Sequence, residues 1–307
     1  MFKGVFCKGF ELKKKFPSYS HVLEREMAEP IKTMKLYSHF ERVDREIAEM
    51  GITEGGKRAL TAEDIFPFDH MNYYGTDAVQ NAIKTCEITE SSKVLDIGSG
   101  LGGPARFIHL KTKANVTALE LQEDCSRKAE EYTARCGMGE NIKNICADFV
   151  TCDLSSLALN EGSFDVIVSW LVFLHIEQKK ALFERCTFVT APGGQLYIED
   201  FYEKGPFTEA EVSSLEKDVF CSRLIRKDSY IQLLTDAGYT VVAFDDLTES
   251  WTDFVVKRQA AYVENKERTL RVHGQDTYDT QLYFFNAVKA LFTGGNLGGC
   301  RIVAKKA

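Results

Sequence analysis

Residues 94–103 read Val-Leu-Asp-Ile-Gly-Ser-Gly-Leu-Gly-Gly, an apolar run that ends in a turn made almost wholly of glycine. Helical apolar spacing then begins at Pro104-Ala105-Arg106-Phe107-Ile108. A strand, a tight turn and a helix N-terminus are therefore expected in immediate succession. Glycine allows φ > 0 and lets another group come close to the backbone. The helix start offers unpaired N–H groups to an anion. The same alternation recurs downstream. Strands are expected at 93–97, 115–120, 142–147, 164–170, 194–199, 240–245 and 300–305, with helices between the first five. That order predicts an α/β protein with a doubly wound, mainly parallel sheet covered on both faces.

The glycines leave two ligands open. Gly98, Gly100 and Gly103 fit the G-x-G-x-x-G dinucleotide fingerprint, and Glu120 stands near its ribose-binding position. Other features favour S-adenosylmethionine (SAM). Asp96 precedes the glycines, where a carboxylate holds an amino group but repels a pyrophosphate. Asp148-Phe149 follows another strand, suited to an adenine amino group and ring face. Ala191-Pro192-Gly193-Gly194 turns into the strand Gln195-Leu196-Tyr197-Ile198. This combination resembles the class I SAM-dependent methyltransferases. The resemblance implies a Rossmann-like sheet of seven strands with the last antiparallel, SAM as cofactor and S-adenosylhomocysteine as its product. Ligands of open α/β sheets lie outside the carboxyl ends of the strands. The expected cofactor residues are therefore Asp96, Gly98, Ser99, Gly100, Gly102, Glu120, Leu121, Gln122, Asp148, Phe149, Ser169 and Trp170. An NAD(P) oxidoreductase is the remaining reading of the glycine run.

The stretch from Val168 to His175 leaves the fourth strand beside the expected methyl group. An acceptor must present a free lone pair, so a protonated amine, thiol or hydroxyl has to lose a proton. Neutral imidazole accepts one near pH 7. His175 is the leading candidate base, with bracing of its loop as the alternative, and Tyr74 is the second candidate for the chemical step. Gly98 to Gly103, Trp170 to Cys186, and Tyr230 through Trp251 resemble phosphoethanolamine methyltransferases. Asp69 to Ala78 is closer to the glycine/sarcosine and dimethylglycine methyltransferases. The likeness covers roughly residues 64 to 255. Leu171 stands where those amine methyltransferases usually carry an aspartate, Tyr73 where their lid loop has a histidine, and no tyrosine occurs near Thr61. Tyr73, Leu171, Tyr202, Arg223, Tyr283 and Asn296 are the candidate acceptor contacts. Aromatic faces, including Phe284 and Phe285, suit a methylated cation. N-methylation of a small amine or amino acid is expected. O-, S- or C-methylation of a small acid, thiol or lipid-like acceptor, and a SAM-binding protein without turnover, stay open.

A net charge of −7 over 307 residues gives no basic face for nucleic acid, and no apolar run is long enough for stable membrane insertion. Nine scattered cysteines without a C-x-x-C argue against a disulfide framework or a zinc site and for a reducing, cytoplasmic setting. No metal-ligand cluster is expected. The expected divisions are a helical lid over 1–75, the SAM-binding core over 76–248, a helical insertion over 249–298 and a final core strand over 299–307. Within the lid, residues 1–16 form an amphipathic docking arm and 17–66 are mostly helix. A monomer or homodimer acting on a small-molecule methyl acceptor is the expected state.

Overall fold

The computed structural model describes residues 39–52, 58–221 and 223–307. The expected arm at 1–16 and the helix expected through 17–38 lie outside these residues. The described chain opens with α1 (Glu41–Glu49) and α2 (Ala62–Asp69). In α2 the Thr61 hydroxyl accepts from the Asp64 N–H while the Asp64 carboxylate accepts from the Thr61 N–H. This capping box carries the helix through Phe66-Pro67-Phe68, which composition alone suggests is loop. α3 (Thr76–Thr85) starts from Gly75 at φ 50°, with no side-chain cap from Thr76 or Asp77, because both already lie within its first turn.

The core alternates β1 (Lys93–Ile97), α4 (Gly103–Thr112), β2 (Asn115–Glu120), α5 (Glu123–Arg135), β3 (Ile142–Cys146), β4 (Phe164–Trp170), α6 (Lys179–Val189) and β5 (Thr190–Glu203). Then come α7 (Glu209–Asp218), α8 (Lys227–Asp236) and β6 (Tyr239–Asp246). α9 (Thr248–Glu264), α10 (Lys266–His273) and α11 (Gln275–Gly294) form an insertion between β6 and β7 (Leu297–Lys306). The sheet order is β3-β2-β1-β4-β5-β7-β6, with β7 antiparallel to both neighbours. This is the expected Rossmann-like architecture.

Alternation along each strand divides the core. Leu95 and Ile97 join Ile167, Leu196 and Ile198 under α6 and α8. Val94, Val116, Val166 and Val168 lie under α3 and α4 on the opposite face. The register jumps between Phe164–Thr190 and Val166–Gln195, so the Ala191–Gly194 turn bulges out of β5 rather than preceding it. A third cluster joins Leu174 and Phe201 to Trp251, Val255, Leu291 and Phe292 of the insertion. It places α9 and α11 over the carboxyl ends of β4 and β5.

Candidate active site

The turn after β1 is held from β2. The Gly98 and Ser99 N–H groups both donate to the Leu119 carbonyl, at 2.8 and 3.0 Å. The Glu120 carboxylate accepts from Gly100 N at 2.9 Å and from Gln122 N at 2.8 Å. Gly98 has φ 73° and Gly100 φ 54°. A Cβ on Gly98 would stand 2.3 Å from a Val172 methyl, and one on Gly100 2.4 Å from Met71 Cε. Glycine is thus required twice, by backbone conformation and by close packing. The post-β4 segment and the loop after α2 both press on this turn.

Asp96 is buried at the end of β1. Burial, reinforced by nearby Glu120, pushes its carboxyl up to about 8. Burial also raises the Glu120 carboxyl, against the pull of its backbone donors. Asp96 Oδ2, Ser99 Oγ and Trp170 Nε1 are buried without a hydrogen-bond partner. A carboxyl, a hydroxyl and an indole donor at the carboxyl ends of β1 and β4 form a polar set suited to a ligand with amino and hydroxyl groups. Asp148 follows β3 and turns its chain by accepting from Val150 N at 2.8 Å. Gln122 and Leu121 continue from Glu120 into the start of α5. Two other expected cofactor residues have structural contacts. Ser169 donates to the Ile97 carbonyl at 2.9 Å, tying β4 to β1, and the Phe149 ring lies in the larger core.

His175 sits in a single 3₁₀ turn, Phe173–His175. Its Nδ1 faces the Phe220 carbonyl at 3.1 Å, so it must donate, and in the neutral ring Nε2 carries the lone pair. Burial lowers its pKa to about 4, keeping the ring neutral at pH 7. The turn is braced from below. Buried Lys179 donates to the carbonyls of Phe173 and Ile176, and the Asp200 carboxylate accepts from Phe201 N at 2.8 Å and Tyr230 OH at 3.2 Å. Burial pushes Asp200 up to about 7. Leu171, Tyr74 and Phe220 hold φ of 55°, 59° and 55°. Left-handed backbone is costly for bulky residues, and such strain gathers at functional sites. These three lie in segments converging on the Tyr73–Leu174–Cys221 cluster.

Tyr73 is buried there, its ring 4.8 Å from Trp251 and 5.1 Å from Phe254, and the Tyr74 hydroxyl donates to the Ser250 carbonyl at 2.7 Å. Leu171 packs against the same cluster. The other expected acceptor contacts are not gathered with them. Tyr202 packs on Phe244 and Gly298 in the main core. Tyr283 is 63% exposed and donates to Asp218. Asn296 donates to Glu211 and accepts from the N–H groups of Lys204 and Gly205, and Arg223 is exposed. Sequence reasoning missed two residues. Arg106 forms a fully buried 2.8 Å ion pair with Asp69 of the lid. Arg258 lies among Tyr73, Phe254 and Phe285. The spacing of Phe254 and Arg258, one helical turn apart, is the only local sign of the second.

Residues 95–198 match the methyltransferase domain family. The phosphoethanolamine N-methyltransferase of Plasmodium falciparum is 29% identical over 220 residues, 70% of this chain and 79% of that protein. The sarcosine/dimethylglycine N-methyltransferase of Halorhodospira halochloris is 24% identical over 69% of this chain and 73% of its own. The chain spans less than half of the plant relatives it matches, 44% of the Triticum aestivum phosphoethanolamine N-methyltransferase. In fold it is similar to Haemonchus contortus phosphoethanolamine N-methyltransferase 2, solved with phosphomonomethylethanolamine and S-adenosylhomocysteine. The TM-score is 0.71 at 18% identity, over 78% of this chain and 54% of that one. Residues 95–198 thus carry a methyltransferase domain, and the glycine turn and sheet order are similar to those of SAM-dependent methyltransferases.

Proposed function

We propose that this methyltransferase acts on the nitrogen of a small amine or amino acid. In this reading SAM lies along the turn from Asp96 to Gly102. Asp96 and Ser99 hold its amino-acid end, Glu120 its ribose hydroxyls, and Leu121, Gln122, Asp148 and Trp170 its adenine. The unpartnered buried atoms of Asp96, Ser99 and Trp170 support that fit. Bound SAM supplies a methyl group on a sulfonium.

The observation that carries the reading is the His175 turn. Its imidazole is neutral at physiological pH, with Nδ1 engaged by Phe220 and the basic nitrogen at Nε2. Nε2 accepts a hydrogen bond from the amine in its neutral form and orients the lone pair towards the methyl group. Tyr74, fastened to the insertion through Ser250, aligns the acceptor from the lid side. Tyr73 and Leu171 form the acceptor wall. The lid before α3 and the helices from α9 to α11 exclude water from the transfer. The named relatives also act on small amines. A second reading, transfer to a less polar oxygen, sulfur or carbon acceptor, draws on apolar Leu171 and Val172 beside Gly98. The described helices include none long and apolar enough to cross a membrane, and the proposed setting is the cytoplasm.

Thermal shift with SAM, S-adenosylhomocysteine and NADPH tests the cofactor, because a ligand of the native state raises the melting temperature. Methyl transfer from labelled SAM to glycine, sarcosine, ethanolamine and phosphoethanolamine tests the acceptor. Labelling of thiols or acids but of no amine would overturn the nitrogen assignment.

A further inference from the structure

Arg258 on α9 occupies an aromatic cradle. Its guanidinium carbon lies 4.4 Å from the centre of the Phe285 ring, 4.9 Å from Tyr73 and 5.4 Å from Phe254. The rings come from α11, the lid loop and α9 itself. Ring faces stabilise the charge without accepting N–H bonds, and the Tyr73 hydroxyl accepts a hydrogen bond from the guanidinium. Nε and Nη2 are buried with no hydrogen-bond partner. The adjacent Lys257 pairs with Asp253, whereas no carboxylate among the described residues reaches Arg258. Buried, unpaired donors on a cation are costly. The faces that would attract a methylated ammonium are already filled by a cation of the chain. What complements the remaining edge is an anion, because carboxylate and phosphate oxygens match the guanidinium fork.

The cradle adjoins the candidate site. Tyr73 is two residues from Met71, which packs on Gly100, and it shares a cluster with Leu174 beside His175. We infer that Arg258 binds an anionic end, carboxylate or phosphate, of the methyl acceptor while its amino end faces His175. The inference rests on the small-amine reading above and adds the charge of the substrate's far end and the residue that reads it. The acceptor enters by parting the Tyr73 loop from α11, since Nε and Nη2 are covered when the two are packed together.

Two experiments separate this inference from the reading beneath it. The first is binding at constant ionic strength, with the protein saturated by S-adenosylhomocysteine and probed with inorganic phosphate and acetate in a chloride background. Stabilisation of the wild type by either anion, absent in Arg258→Met and retained in part by Arg258→Lys, is expected. Which anion works names the group. Equal response of wild type and Arg258→Met, or none from either, overturns the inference whatever the acceptor proves to be. The second is steady-state methylation of matched pairs, phosphoethanolamine against ethanolamine and sarcosine against dimethylamine. The anionic member of one pair is expected to be preferred. Arg258→Met should raise its KM about 10- to 100-fold, the loss of one charged hydrogen-bonding group, with affinity for S-adenosylhomocysteine unchanged. Preference for ethanolamine and dimethylamine, which carry no anionic group, overturns the inference. Failure of every amine overturns the small-amine reading instead, and the anion-binding result still stands or falls alone.

Discussion

The buried pair between Asp69 and Arg106 should behave as one unit. Asp69 ends α2 in the lid and Arg106 lies one turn into the helix that follows the glycine turn. Their oxygen and nitrogen are 2.8 Å apart, and neither side chain is exposed. Removing one member of such a pair strands the other charge and costs about 3–5 kcal/mol. Arg106 also donates to the Leu101 and Ala129 carbonyls and the Thr133 hydroxyl. Asp69→Ala therefore leaves a partly compensated cation and should fall near 3 kcal/mol. Arg106→Met leaves a carboxylate whose Oδ1 already has no hydrogen-bond partner and should fall near 5 kcal/mol, at the upper end of that range. The double variant leaves no buried charge, so its loss should be smaller than the sum of the singles by about 2 kcal/mol or more. Urea unfolding of the four proteins measures the cycle. A melting-temperature loss of about 6–12 °C is expected for Asp69→Ala, at about 2–4 °C per kcal/mol for a chain of this size. Strict additivity of the two substitutions would refute the reasoning, because it would mean that neither charge depends on the other.

Three further outcomes follow from the site. Gly98→Ala should abolish detectable S-adenosylhomocysteine binding by calorimetry, since the new methyl meets Val172 at 2.3 Å. Adding Val172→Ala should restore part of it, leaving the left-handed backbone penalty of about 1–2 kcal/mol, and no restoration would count against a purely steric cause. Asp96 has a folded pKa raised to about 8 from 3.8, so the native state holds more protons than the unfolded one between those values. Its contribution to stability is therefore full below about pH 4 and declines as pH rises towards 8. Melting curves of Asp96→Asn should fall less steeply over that range than the wild type, and parallel curves would contradict the assigned environment. His175→Gln should lower kcat about 100-fold or more with SAM affinity unchanged. Because burial holds its pKa near 4, the wild-type kcat/KM profile should show no limb at pH 6.5, and such a limb would mean the imidazole is solvated.

Features fixed by neighbouring residues were legible in the sequence. The seven strands announce themselves through period-two apolar runs, and the glycine turn with Asp96 before it and Glu120 beyond lies within one strand–helix–strand unit. Where local signals competed, stronger geometry prevailed. The Thr61–Asp64 box extended α2 across Pro67, and α3 starts directly from Gly75 at positive φ without a side-chain cap. Long-range pairing was hidden. Asp69 and Arg106 are 37 positions apart, and Arg258 meets Tyr73 only because α9 folds back over the lid. Aromatic composition in the insertion revealed that a ring cluster exists without telling which rings face inward. Tyr283 points to solvent, whereas Phe285 stacks on Arg258.

The antiparallel pairing of β6 with β7 gives the acceptor side an independence that the cofactor side lacks. Asp246 at the end of β6 lies opposite Cys300, close to where β7 begins, so residues 247–296 between the two strands are an enlarged hairpin loop. Both ends of that loop leave the sheet at nearly one point. Chain closure there changes little with loop length, because each doubling adds only about 0.6 kcal/mol. The excursion from Thr248 to Gly294 is thus an exchangeable cassette. It can be shortened, lengthened or replaced while β1, β2 and the glycine turn keep their register, provided that the new segment again covers Phe201, fills the space that Trp251 takes against Gly299, and pairs the buried Glu46 of α1 as Arg268 and His273 do.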